Sequence, residues 1–383
     1  MHIPTSNKWF MALAGSAALA AGPLLNSTVA SAHSRPPISY QVQNTWTDVG
    51  PTPHFAGVDM RLNKLFVSNL AHGTVTVVNA STGRQIGTIH IGGTLHTVMV
   101  DQKTSTVYVT DIQRGLVDVI NAKTDQLEKE INVGGHPHGL AVSQRLHQAF
   151  VSNISLDAVE VINLKTNQVI KTIPVGPNPW GVTVNPKTDT IYAANTGIDP
   201  FAASKSQQVN PLGDSISIIN GKTFQVEKTL PVGPHPWNII ADPATHTVYT
   251  GVSGAHEVAM IQHQRVVKDI GVGNSPHGLA LDARTHRLFV NDSLSNQISI
   301  INTRTNQVQQ TLPTGKQPQG VAVDEHTGTV YAINQAAQSA TVLDPTPSSK
   351  QQEIARLIKE ERHLVLKLAS VARQIAHLEQ NNN

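Results

Sequence analysis

Short apolar runs, broken by clusters of Asn, Gly, Thr and Lys, follow one another along most of the 383 residues. One stretch shows the unit. GLAVS (139–143), AFVSN (149–153), AVEVIN (158–163) and VIKTIPVG (169–176) each read as a strand rich in Val and Ile, with polar turns between them. The spacings of three and four that an all-helical unit needs are missing. The unit closes on a phrase that occurs seven times, as VGPTPH, IGGTLH, VGGHPH, VGPNPW, VGPHPW, VGNSPH and TGKQPQ. The phrases end at His54, His96, His138, Trp180, Trp237, His277 and Gln319, at intervals of 42, 42, 42, 57, 40 and 42 residues. Four antiparallel strands at a period near 40 predict the blade of a β-propeller, a unit that cannot bury its apolar face alone.

The ends predict how the ring closes. The seventh copy has GVAVD, TVYAIN and SATVLD, then runs into Pro345 and Pro347 without a fourth strand. SYQVQNTWTDVG (39–50), ahead of the first copy, has the shape of that missing strand. The expectation is an all-β chain, a seven-bladed β-propeller closed by its N-terminal strand, which removes two open sheet edges.

The units resemble the YVTN β-propeller repeat family. TVYVT (106–110), LFVSN (65–69) and TIYAAN (190–195) carry the resemblance, with the PHGLAV and PWGVTV openings and the turns NAKTDQ, NLKTNQ and NTRTNQ. It covers roughly residues 39–345. The resemblance implies a propeller in a secreted, periplasmic or surface protein, and no particular reaction.

Residues 1–32 read independently as an export signal: Lys8, an apolar stretch from Trp9 to Leu25, then Ala30-Ser31-Ala32 before a chain starting at His33. The propeller is expected over 33–348 and a separate tail over 349–383, with a periplasmic or secreted location and no membrane span in the mature chain. Cysteine is absent, which excludes disulfides, a c-type haem, a lipoprotein anchor and thiol chemistry. Past the signal, 27 basic side chains face 26 acidic ones without a block of either sign, so nucleic acid is not indicated as a partner.

From Gln351 the pattern turns helical, with no Gly or Pro. Ile354, Leu357, Leu364, Leu368, Val371, Ile375 and Leu378 recur at alternating spacings of three and four, and Glu361 interrupts the seam. A C-terminal α-helix follows, either a coiled coil that self-associates or a helix laid on the propeller.

Candidate chemistry collects on one face. The phrase-ending residues precede the first strand of each blade, which lines the central channel. They predict a rim ring of four His, two Trp and one Gln. Fifteen residues on, at the far end of the second strand, stand Asn69, Asp111, Asn153, Asn195, Val252, Asp292 and Asn334. The fourth copy is longer by an insertion over 197–214, with Phe201 near its centre, that rises on the same face as a lid or as an unconstrained loop. His136 and His235 lie two residues before ring positions, and His72 and His256 in loops of that face. His147, His246 and His286 recur in turns on the opposite face, as solvated turn residues.

Three functions are compatible with this ring. The first is a non-enzymatic binding or scaffold module holding a planar, anionic or metal-containing small molecule, or a protein, through the seven ring residues with Asp111 and Asp292. The second is a transition-metal site for Cu, Zn, Ni or Fe, with His54, His96, His138 and His277 as ligands and Asp111 and Asp292 orienting His96 and His277. The third is a lactonase-like hydrolase using an acid–His pair. GxSxG, HExxH and P-loop motifs are absent, so no catalytic residue is assigned.

Overall fold

The computed structural model describes residues 38–203 and 209–346, and in the tail 353, 357, 360–361, 363–371 and 374. The proposed signal over 1–32 lies outside the described residues. The unit first read at 139–176 becomes strands Pro137–Ser143, Gln148–Asn153, Ala158–Asn163 and Gln168–Pro174, paired antiparallel in chain order. Seven such four-stranded sheets form seven blades, numbered in chain order from the sheet that opens at Pro53–Asp59. The closure expected from the ends is present: strand Ser39–Trp46 lies outermost in the sheet of Pro318–Val323, Val330–Asn334 and Ser339–Thr346.

Period-two alternation explains the packing, because each blade has two apolar faces and buries both against its neighbours. One core cluster joins Phe66, Val75 and Val77 of blade 1 to Val98, Val107 and Val109 of blade 2. Another joins Val58, Leu65 and Val67 of blade 1 to Tyr331, Ile333 and Val342 of blade 7, with Trp46 from the closing strand. Trp46 packs on Tyr331 with ring centroids 5.5 Å apart. Gly83 sits over the indole at φ +74°, where an added Cβ would stand 2.5 Å from its ring atoms, so glycine is required on both counts. Fourth strands such as Gln126–Asn132 are mostly exposed and form the outer surface.

The turns between first and second strands hold a left-handed residue, filled by His147 (φ 52°), His246 (φ 56°) and His286 (φ 59°) in three blades. Their recurrence is backbone geometry, a conformation that Asn, Asp and His adopt more readily than most residues. In the tail, 363–371 is helical, and Leu364, Leu366 and Leu368 are exposed. Among the described residues no helix is long and apolar enough to cross a membrane.

Candidate functional site

Each first strand opens with a residue paired to the end of the second strand, as in Pro137 with Asn153 and Pro276 with Asp292. The register then slips. Between Pro137 and Leu140 two residues, His138 and Gly139, oppose Ser152 alone. The same irregularity occurs at the ring position of all seven blades. A bulge leaves the extra residue outside the ladder and redirects its side chain, which is how seven side chains are turned from the sheet into the channel.

Hydroxyls fix the bulges across blade boundaries. Thr110 Oγ1 accepts the Thr97 N–H (3.0 Å) and donates to the backbone carbonyl of His138 in the next blade (2.8 Å). Ser68 Oγ accepts the Phe55 N–H at 3.1 Å and donates to the His96 carbonyl at 2.5 Å, and Ser152 repeats the contact toward the Trp180 carbonyl. In blade 6 the Asn291 amide takes this place, donating to the Gly320 carbonyl at 2.8 Å. Gly139 and Gly278 follow ring residues where an added Cβ would meet the next blade's ring carbonyl at 2.4 and 2.2 Å. The sequence signal for this latch is the Ser or Thr immediately before the Asn or Asp ending the second strand.

The ring side chains touch one another in blade order. Ring centroids are 4.3 Å apart for His54–His96, 3.6 Å for His96–His138 and 4.5 Å for His138–Trp180. They continue at 4.1 Å for Trp180–Trp237, 4.5 Å for Trp237–His277 and 6.2 Å for His277–His54, with Gln319 in the blade between the last pair. Six rings and one amide therefore floor the channel at this level. All but Trp237 are buried.

Burial sets the charge of the floor. It holds His54 and His96 well below the ordinary imidazole range, reinforced by the neighbouring ring histidines. Burial also lowers His138 to about 3 and His277 to about 4, partly offset by backbone contacts to Trp180 and Gln319. All four are neutral at physiological pH. His54 Nε2 and His96 Nε2 lie 2.7 Å apart, so one donates and the other accepts. His138 Nδ1 donates to the Trp180 carbonyl at 3.2 Å.

Above the floor is a cup of about 670 Å³. Its wall draws on two recurring positions, each in four blades: the residue two before the ring position (Thr94, His136, Ser275, Gln317) and the residue just past the second strand (Leu70, Ile112, Ile154, Ser293). The first described residues of the insertion, 197–203, stand at one side. Ile198 bridges Val209, the Ile198 carbonyl accepts Trp180 Nε1–H at 3.0 Å, and Phe201 stacks on His136 with centroids 3.8 Å apart at 15°. Pro200 and Phe201 line the cup. Buried polar atoms without a hydrogen-bond partner include His54 Nδ1, His136 Nδ1, Trp237 Nε1 and Gln319 Oε1, all on residues that line it.

The second ring lies where the 15-residue offset locates it, but its side chains turn into their own blades. Asn69 donates to Thr74 and Thr76, and Asn334 to Ser339 and Thr341. Asp292 accepts from Ser299 (2.7 Å) and Gln297 (3.1 Å). Asp111 accepts the Thr94 N–H at 3.0 Å and pairs with Arg114, which also binds Asp118. Burial lifts the Asp118 carboxyl to about 7 against the pull of that arginine. Asp111 and Asp292, expected to orient His96 and His277, make these contacts inside their own blades; Asp292 Oδ1 is left without a partner, and neither residue lines the cup. No carboxylate among the described residues reaches the cup to form the acid–His pair of the hydrolase reading. His72 bonds Thr52 and His235 lies against Asp214. Among the described residues no group of three or more His, Cys, Asp or Glu is arranged to hold a metal ion.

No family model matches the chain. No curated protein matches it either. Among solved structures it is similar to a chain of Kuenenia stuttgartiensis hydrazine synthase, with a TM-score of 0.65 and 18% identity over 78% of this chain and 97% of that one. At that identity the likeness shows the fold: this chain is a seven-bladed β-propeller.

Proposed function

We infer that this propeller is an exported, non-enzymatic binding module whose cup holds a small ligand over the His/Trp floor. The observation that carries the reading is the coincidence of a 670 Å³ cup, an insertion folded over it, and buried polar atoms on its lining without partners. A concave, mostly apolar site with a few convergent polar groups is the usual form of a ligand pocket. An unpartnered buried donor or acceptor costs about 1–3 kcal/mol, which a ligand recovers by satisfying it. Export rests on the 1–32 pattern, and kinship with YVTN-repeat propellers on the strand and turn motifs. The exposed leucines of 363–371 support self-association through the tail; a Leu368→Lys chain that sediments like the unaltered one contradicts that role.

The test is to purify the chain without chelator from an exporting host and compare it with a His96→Ala/His138→Ala variant of equal melting temperature. Native mass spectrometry should show an organic mass retained by the first and lost by the second. Equal retention overturns the reading. Elemental analysis of the same samples addresses the metal reading: near-stoichiometric Cu, Zn, Ni or Fe that is lost in the His96→Ala/His138→Ala variant would replace an organic ligand by a metal.

A further inference from the structure

We propose that the cup takes an uncharged, flat aromatic molecule that offers an acceptor to Trp237 and a donor to Gln319; this rests on the cup being the binding site. Three observations define the class. First, among the described residues the lining includes no Asp, Glu, Lys or Arg. The nearby carboxylates of Asp111 and Asp292 are bound within their blades. A ligand charge would lose its hydration here without meeting a counter-charge.

Second, the surfaces offered are ring surfaces. The floor is six rings in mutual contact, and the Phe201–His136 stack, 15° from parallel, forms part of the wall. A flat aromatic body extends such packing through offset or edge-to-face contacts. An aliphatic chain would meet the same area without those geometries.

Third, two residues of the lining carry buried, unpartnered polar atoms of fixed and opposite roles. Trp237 Nε1 can only donate, and it has no partner. The Gln319 amide nitrogen donates to Ser293 Oγ at 3.2 Å, which leaves its buried Oε1 as an open acceptor. Trp237 and Gln319 stand on the blades flanking that of His277, so one molecule with a donor and an acceptor along its edge addresses both. A carboxylate could accept from Trp237 but not donate to Gln319, and an ammonium would do the reverse.

Calorimetry on the full chain with three probes of one shape tests this: 2-naphthamide, 2-naphthoate and the 2-naphthylmethylammonium ion. The amide should bind at least about tenfold more tightly than either ion, and Trp237→Phe and Gln319→Leu should each weaken it about tenfold without changing the melting temperature. An ion that binds as tightly as the amide overturns the uncharged class. Absence of binding by all three at their solubility limits overturns the aromatic class. Whether the cup is a site at all is decided separately by the mass retained in the His96→Ala/His138→Ala comparison, so the two failures are distinguishable.

Discussion

His54 Nε2 and His96 Nε2, from adjacent blades, face each other at 2.7 Å in a buried floor, and one proton serves both nitrogens. A second proton there would break the shared hydrogen bond and set an imidazolium against the other ring's N–H, with His138 and His277 beside it and no carboxylate in the lining. The folded-state pKa values lie below that of an unfolded His, near 6.5, so the unfolded chain binds more protons once the pH drops through that value. Stability is therefore full above pH 6.5 and is lost as pH falls toward about 4 for His277 and about 3 for His138. Between pH 7 and 5 each such His costs about 2 kcal/mol. Urea midpoints over that range should fall steeply for the unaltered chain and less steeply for His138→Gln. A flat profile would show that the floor carries protons in the folded state.

Thr110 bridges two blades through one hydroxyl. Thr110→Val keeps the shape and strands both the Thr97 N–H and the His138 carbonyl. It should lower unfolding free energy by about 1–2 kcal/mol in denaturant titration. It should also weaken ligand retention, because the His138 side chain loses its backbone anchor. A loss of stability with unchanged retention would confine the latch to a structural role.

Trp46 ties the N-terminal strand to the last blade. Trp46→Ala should cost about 3–5 kcal/mol, the usual range for a buried aromatic truncated to alanine. Because the closing strand is the only one out of chain order among the described residues, proteolysis should cut near Ser39–Trp46 first in that variant. Uniform cleavage across all blades would mean that closure is not the weak point.

Phe201 is half exposed, and its contact with His136 is the insertion's aromatic hold on the wall. Stacked pairs contribute about 0.5–1.5 kcal/mol beyond their buried area. Stopped-flow release of 2-naphthamide from Phe201→Ala should be about fivefold to tenfold faster, with association little changed. Equal release rates would remove the insertion from the binding cycle.

The fold was legible in the sequence because a propeller is written in local terms. Period-two strands and a 42-residue repeat state the blade, and the missing fourth strand after Leu343 states the closure. The positions facing the channel mouth were legible by the same logic, since one offset serves every blade. Side-chain direction was not. Asp111 and Asp292 stand where counting located them, but Arg114, Ser299 and Gln297 draw them into their own sheets, and nothing in the spacing announces those partners. The bulge at each ring residue was also silent, although Gly139, Gly181, Gly278 and Gly320 mark it in four blades. The charge of the floor depends on burial by neighbours far apart in the chain, which the spacing of the histidines does not state.

The most direct measurement is the crystal structure of the chain purified from an exporting host and then soaked with 2-naphthamide. The account predicts continuous non-protein density lying flat over the His138–Trp180–Trp237 floor, with polar atoms about 3 Å from Trp237 Nε1 and Gln319 Oε1. Bound probe found elsewhere, or a cup that holds only solvent with both atoms hydrated, would contradict it.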